Sequence, residues 1–260
     1  MSAGSADGKR SGKRRSLRSL RVLVTAGPTL EPIDPVRFFS NRSTGVFGYA
    51  IAQESARRGD EVTLVSGPTA LKSPSGVRLI RVETAGEMER ALNNRFPSAD
   101  VLFMTAAVSD FKPVRISREK IRRGAGGLVV RLMPTRDIVS GLPRREGQQV
   151  VGFCLESSQW VDRARRKLQQ KKLDWVVANS TGPVSPFGSG RTSVVILSSQ
   201  GEQTRLMGKT KREIARRLLN LVEKRISGGV PKGLRERSAK PLFTGSSPVA
   251  ASHRCACLPG

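Results

Sequence analysis

The sequence predicts an α/β fold, a Rossmann-like doubly wound and mostly parallel sheet with a small C-terminal hairpin, and three observations carry that reading. Short apolar runs bounded by Gly, Pro, Ser and Asn alternate with stretches of helical period, the pattern of a parallel sheet covered on both faces. The first run, Val22-Leu23-Val24-Thr25, opens into the turn Ala26-Gly27-Pro28-Thr29 and is followed by a small-residue loop and a helix. Near the other end, runs at 192–197 and 203–206 are separated by a short polar turn, as a hairpin requires.

In chain order, Ser43-Thr44-Gly45-Val46-Phe47-Gly48 leads into a helical pattern over 49–58 that Gly59 stops. Strand, loop and helix start together form a phosphate-binding corner, because orphan N–H groups and the positive dipole end point at whatever sits there. The corner is not the ordinary dinucleotide fingerprint: Gly27 is separated from Gly45 and Gly48 by an insertion over 30–43, so something other than a plain dinucleotide pyrophosphate is expected. An αβ unit whose glycines only close turns is the alternative.

Further strands are predicted at 61–65, ending in Ser66-Gly67-Pro68, at 78–82 and at 100–104. Between the last two, residues 84–96 read as an amphipathic helix with Thr84 as N-cap and Met88, Leu92 and Phe96 on one face. A strand is expected over 128–132 after a Gly-rich turn, then strands at 149–153 and 174–179 flanking a helix over 159–172. A turn begins at Pro186-Phe187-Gly188, and a helix over 211–226 closes the domain with the stripe Ile214, Leu218, Leu221 and Val222.

The chain of 260 residues holds one large domain over 20–226 with material at both ends. Residues 1–19 mix Gly, Ser, Lys and Arg and read as a disordered basic arm; an anion-touching tail, a solubilising arm and a mis-assigned start codon all fit it. Residues 227–260 lose all periodicity and are expected to be a disordered tail. Their Gly245-Ser246-Ser247-Pro248 resembles a tRNA T-arm read as codons, so read-through past the native gene end is expected and His253, Cys255 and Cys257 receive no role.

No run of about 18 apolar residues occurs and the first twenty lack an apolar core, so neither a membrane span nor a secretory signal is expected and the cytoplasm is the expected compartment. Three cysteines and one histidine support no disulfide framework or four-ligand zinc site, leaving Lys, Arg, Asp, Asn and backbone groups to carry the chemistry. Cys154 reads as a small core residue, since no base stands ready to activate it. The net charge of +25 and pI near 11.5 raise nucleic-acid binding, but the aromatic residues form no stacking platform. Weak nonspecific nucleic-acid contact through the arm is the most that this charge implies.

The wording VTAGPTLEPIDPVRFFSNRSTGVFGYAIA closely resembles the phosphopantothenate–cysteine ligase family of coenzyme A biosynthesis, and further motifs of that family follow in order across about residues 20 to 225. The resemblance implies joining of 4′-phosphopantothenate to L-cysteine through an acyl-cytidylate, with CTP as co-substrate and Mg²⁺. It also implies a homodimer acting on small molecules, with residues from the partner completing the site.

Residue by residue, the resemblance puts Asn41, Arg42, Ser43, Gly45 and Asn179 on the substrates, with Asn41 holding the acyl-cytidylate, and Gly27 on the nucleotide. Thr105-Ala106-Ala107-Val108-Ser109-Asp110 matches a motif where small residues let a nucleotide lie on the backbone and Asp110 meets ribose, base or a magnesium-bound phosphate; as residues alone, Asp110 reads equally as a turn former. Lys120, within Glu119-Lys120-Ile121-Arg122-Arg123, is implied to reach the α-phosphate. Arg136, Asp137, Ile138 and Val139 align with a nucleotide contact, Phe153 packs on the nucleotide, with Glu156 following it, and Lys167 and Lys171 hold the triphosphate. On periodicity alone, those two lysines are an ordinary wet helix face.

The chain departs from the pattern at Val46 and Phe47, where a positive charge is usual, at Met133-Pro134-Thr135-Arg136, and at Ser180, where an aspartate is usual. Arg42 is expected to compensate for the first. A reductase would need the uninterrupted glycine pattern, and a nucleic-acid module would explain the charge but not the ordered motifs.

Overall fold

The computed structural model describes residues 19–124, 126–156, 159–180 and 190–228, without the side chains of Glu156 and Ser180. Residues 1–18 of the expected arm, the turn at 186–188, the tail beyond 228 and the side-chain role of position 180 lie outside the described residues.

Residues Met1–Ser227 cluster as one unit, whose described part is built on an eight-stranded sheet. The elements in order are β1 (Arg21–Ala26), β2 (Leu30–Pro32), β3 (Phe38–Ser40), α1 (Val46–Arg57), β4 (Glu61–Ser66), β5 (Val77–Arg81) and α2 (Ala85–Arg95). There follow β6 (Val101–Met104), β7 (Phe111–Pro113), β8 (Leu132–Pro134), α3 (Ile138–Gly141), β9 (Gln149–Glu156) and α4 (Trp160–Gln170). The last are β10 (Trp175–Ser180), β11 (Thr192–Ser198), β12 (Gln203–Lys209) and α5 (Lys211–Ser227).

The sheet order is β12-β11-β10-β9-β6-β1-β4-β5, parallel from β5 to β10 and antiparallel through β11 and β12. The chain therefore starts in the middle, builds outward to β5 and returns across β1 to β6, which puts the topological switch between β1 and β6. Val24, Val101, Leu102 and Phe103 are completely buried, because α1 and α5 cover one face of the sheet and α2, α3 and α4 the other.

On the first face, the nearly buried Glu54 of α1 pairs with Arg57 and Arg58 and reaches Arg216 of α5, while Arg58 also meets Glu223. Two small antiparallel pairs, β2-β3 and β7-β8, stand outside the main sheet and lie against each other.

The strand expected over 128–132 is corrected. Extended pairing begins only at Leu132, opposite Pro113, and Leu128 and Val129 are 55% and 87% exposed, so the apolar alternation there buries nothing. The first helix also starts three residues earlier than expected, at Val46, with Gly45 at φ 76° as its N-cap. Among the described residues, no helix is long and apolar enough to cross a membrane.

Candidate active site

The loops after β1 and β6 are knitted together at the switch point. The amide of Ala107 donates to the carbonyl of Gly27 at 2.9 Å, that of Thr29 to the carbonyl of Ala107 at 3.3 Å, and that of Ala106 to Oγ1 of Thr25 at 3.1 Å. The Thr105 hydroxyl donates to the carbonyl of Thr25. Helix α1 closes on these strand ends at Gly48, where a Cβ would lie 2.5 Å from Thr105 Oγ1 and 2.6 Å from Ala26 Cβ. Only glycine permits that approach.

Beyond the strand ends lies a cleft of about 890 Å³. Asn41, Arg42 and Ser43 line it ahead of α1, together with Phe47 from the helix's first turn. Thr105, Ala106 and Asp110 follow β6, and Arg136, Asp137, Ile138 and Val139 stand at α3. Phe153 comes from β9, Lys167 and Lys171 from α4 and its end, and Asn179 from β10. The structure thus collects in one cavity residues spread over some 140 positions of sequence.

Several of these side chains are already held. Asn41 Nδ2 donates to the carbonyl of Ala107 at 3.1 Å, and Asn179 Oδ1 accepts from Thr192 Oγ1 at 2.8 Å. Lys167 Nζ donates to the carbonyl of Phe153 at 2.7 Å, and Lys171 Nζ stands 3.4 Å from Asp137 Oδ2. Asp137 caps α3, accepting from the Ser140 amide at 3.3 Å and its hydroxyl at 2.8 Å. Burial pushes the Asp137 carboxyl up, but the Ser140 bonds and the charge of Lys171 outweigh it and hold the group below its ordinary value. Arg136 is on the rim, 88% exposed and 3.9 Å from Glu89.

Three expected site residues are not in this wall. Gly27 and Gly45 lie behind the corner at φ 75° and 76°, and a Cβ on either would meet Thr69 Cγ2 at 2.8 Å, so their part is to let the loops pack. Lys120 is exposed and outside the cleft of its own chain. Its neighbour Ile121 is clamped to the β2-β3 turn: its amide donates to Asp34 Oδ2 at 3.1 Å and its carbonyl accepts from Arg37 Nη1 at 3.1 Å.

Phe47 and Thr135 are among the wall residues that were not expected. Phe47 registers in the sequence only as a departure from a motif, yet it lines the cleft and packs edge-on against Phe153. Thr135 also lines it and ties the α3 loop to the β6 loop, its hydroxyl donating to the carbonyl of Ser109 at 2.6 Å. The motif neighbours Arg136 and Ser109 were the available signal.

Open, mostly parallel sheets bind their ligands beyond the strand ends at the switch point, and that is where this lysine-bearing cleft lies. Residues 17–226 match the family of DNA/pantothenate metabolism flavoprotein C-terminal domains, and the chain belongs to that family. A cysteine/cysteine sulfinic acid decarboxylase from an unknown prokaryotic organism is 41% identical, over 80% of this chain and 60% of that protein. The coenzyme A biosynthesis bifunctional protein CoaBC of Mycobacterium bovis is 37% identical, over 82% of this chain and 54% of that protein. The chain therefore spans little more than half the length of these relatives. The crystal structure of the C-terminal domain of a CoaBC protein superposes with a TM-score of 0.71 at 36% identity, covering 82% of this chain and 98% of that one.

Proposed function

We propose that this domain is a phosphopantothenate–cysteine ligase, joining 4′-phosphopantothenate to L-cysteine in coenzyme A biosynthesis with CTP as the activating co-substrate. The observation that carries the reading is the composition of one cleft: Asn41, Arg42 and Ser43 at a helix-N-terminal corner share its wall with Lys167, Lys171 and the small-residue stretch Thr105-Ala106. The corner suits a phosphorylated acid and the lysines suit a triphosphate.

In the first step, a carboxylate oxygen of phosphopantothenate attacks the α-phosphorus of CTP; the bond to the β-phosphate oxygen breaks and pyrophosphate leaves with its electron pair. In the second, the cysteine amine attacks the acyl carbon, CMP leaves, and the amide forms with loss of the amine proton. Asn41, fixed through Ala107, orients the acyl-cytidylate, and Lys167 and Lys171 neutralise the leaving charge. Phe153 covers the nucleotide.

Among the described residues, no group of three or more His, Cys, Asp or Glu side chains could hold a metal. That fits Mg²⁺, which is usually bound through one or two carboxylates plus substrate phosphates. Asp110 on the cleft wall would hold it, and bound there it would supply charge neutralisation at the phosphates.

The acting species is a homodimer in the cytoplasm. The exposed faces of the two outlying hairpins carry Val36, Phe38, Phe111, Val114, Ile116 and Met133, an apolar surface that a second copy covers. Lys120 sits on the segment between these strands and is assigned to the partner's cleft. Weak contact of nucleic acid with residues 1–19 accompanies, and does not replace, the ligase activity.

The test is pyrophosphate release by the purified protein with Mg²⁺. Release that requires both phosphopantothenate and CTP, with ATP inert, supports the reading; turnover of neither nucleotide sinks it. Light scattering that gives the mass of a single chain would remove the dimer.

A further inference from the structure

A second cavity, of about 260 Å³, adjoins the cleft and shares Thr135, Arg136 and Ile138 with it as a common wall. Its remaining lining includes Arg90 from α2 and Lys112 from β7, with Glu89 as the carboxylate in the wall. Three cations from three separate elements thus converge on one small hollow against one carboxylate, and the nearest approach of that carboxylate to Arg136 is 3.9 Å.

A charge run on one helix face is ordinarily solvated; cations brought from a helix, a strand and a loop to the rim of one open hollow are a different arrangement. At the start of α2 the amides of Ala85 and Glu87 are taken, by Glu31 Oε1 at 2.8 Å and Thr84 Oγ1 at 3.2 Å, while Gly86 between them lines the hollow. A ligand would meet the three cationic side chains first.

We propose that this side cavity is a polyphosphate subsite in which Arg90, Lys112 and Arg136 receive a pyrophosphate group. The inference rests on the ligase reading for the source of that group. It is either the distal end of the triphosphate lying in the cleft or the pyrophosphate set free by the first step, passed over Arg136 from the cleft.

The test is calorimetric titration of the wild type and of an Arg90→Gln/Lys112→Gln double variant with three probes: inorganic pyrophosphate, CTP and CMP. Both substituted side chains are exposed, and matching melting curves establish that the variant is folded. The expected result is a loss of pyrophosphate affinity of at least tenfold with CMP affinity unchanged. A parallel loss for CTP identifies the anion as the nucleotide's own end, and unchanged CTP binding identifies it as the released product. Pyrophosphate affinity within twofold of wild type, no pyrophosphate binding by the wild type, or equal losses for all three probes would overturn the subsite. Failure of CTP and CMP to bind the wild type would instead count against the ligase reading, leaving the pyrophosphate comparison to decide the subsite by itself.

Discussion

The ring of Phe47, in the first turn of α1, meets the ring of Phe153, on β9, edge-on at 4.9 Å between centroids and 66° between planes. The contact joins the two sides of the cleft, because α1 carries the corner and β9 the wall next to Lys167. Edge-to-face pairs contribute about 1 kcal/mol beyond the area they bury. Phe47→Ala is therefore expected to let the Phe153 ring turn and to raise the KM for CTP roughly fivefold. Steady-state kinetics with CTP varied at saturating phosphopantothenate check this, and an unchanged KM would detach Phe153 from the nucleotide.

Lys171 and Asp137 form a half-exposed pair, so Lys171→Ala should cost well under about 1 kcal/mol of stability. Its effect on function should be larger. Loss of a charged contact to the triphosphate is expected to raise the KM for CTP on the order of tenfold while the KM for cysteine stays unchanged. The substitution also removes the positive charge that helps to hold the Asp137 carboxyl low, so that group should titrate higher by NMR.

Gly48 has no room for a methyl group, with Thr105 Oγ1, Ala26 Cβ and the Thr25 carbonyl at 2.5, 2.6 and 2.8 Å from where a Cβ would be. Gly48→Ala is expected to destabilise the domain by about 1–3 kcal/mol. For a domain of this size, that lowers Tm by several degrees, roughly 2–4 °C per kcal/mol. Calorimetry checks the value, and the loss should be accompanied by a fall in kcat as α1 is pushed off the strand ends.

Asp34 is buried in the β2-β3 turn. Burial raises its carboxyl, but amides of Val36, Arg37 and Ile121 and the Arg37 charge prevail and bring it down to about 2. Its folded value thus lies below the unfolded one of about 3.9, so its contribution is fully present above about pH 4 and is lost as pH falls toward 2. At neutral pH the clamp on Ile121 is intact, and with it the placement of Lys120. Asp34→Asn should accelerate tryptic cleavage at Lys120, Arg122 and Arg123 several-fold at pH 7.5, followed by mass spectrometry. Equal cleavage rates would show that the clamp does not restrain this segment.

The main sheet was legible in the sequence because its strands are buried on both faces, as Val101-Leu102-Phe103 illustrates, and because α2 shows an apolar stripe behind the cap Thr84. The hairpins β2-β3 and β7-β8 were not legible. Each strand has three residues, Pro32, Pro113 and Pro134 interrupt them, and many of their side chains are exposed, so no burial period is written into them. Hence the strand expected at 128–132 fell on residues that bury nothing. At the cleft, the motif positions Asp137, Lys167 and Asn179 line one cavity from three different places, the N-cap of α3, the body of α4 and the end of β10. Lys120 does not, because a motif carries a residue's identity while its reach depends on an exposed segment clamped at Ile121.

The measurement that tests the central claim most directly follows an oxygen atom. Phosphopantothenate labelled with ¹⁸O in its carboxylate is incubated with the protein, CTP, Mg²⁺ and cysteine, and the CMP is weighed by mass spectrometry. Attack of the carboxylate on the α-phosphorus followed by amide formation requires one ¹⁸O in each CMP. CMP without label, or label appearing in inorganic phosphate alongside CDP, would contradict an acyl-cytidylate formed in this cleft.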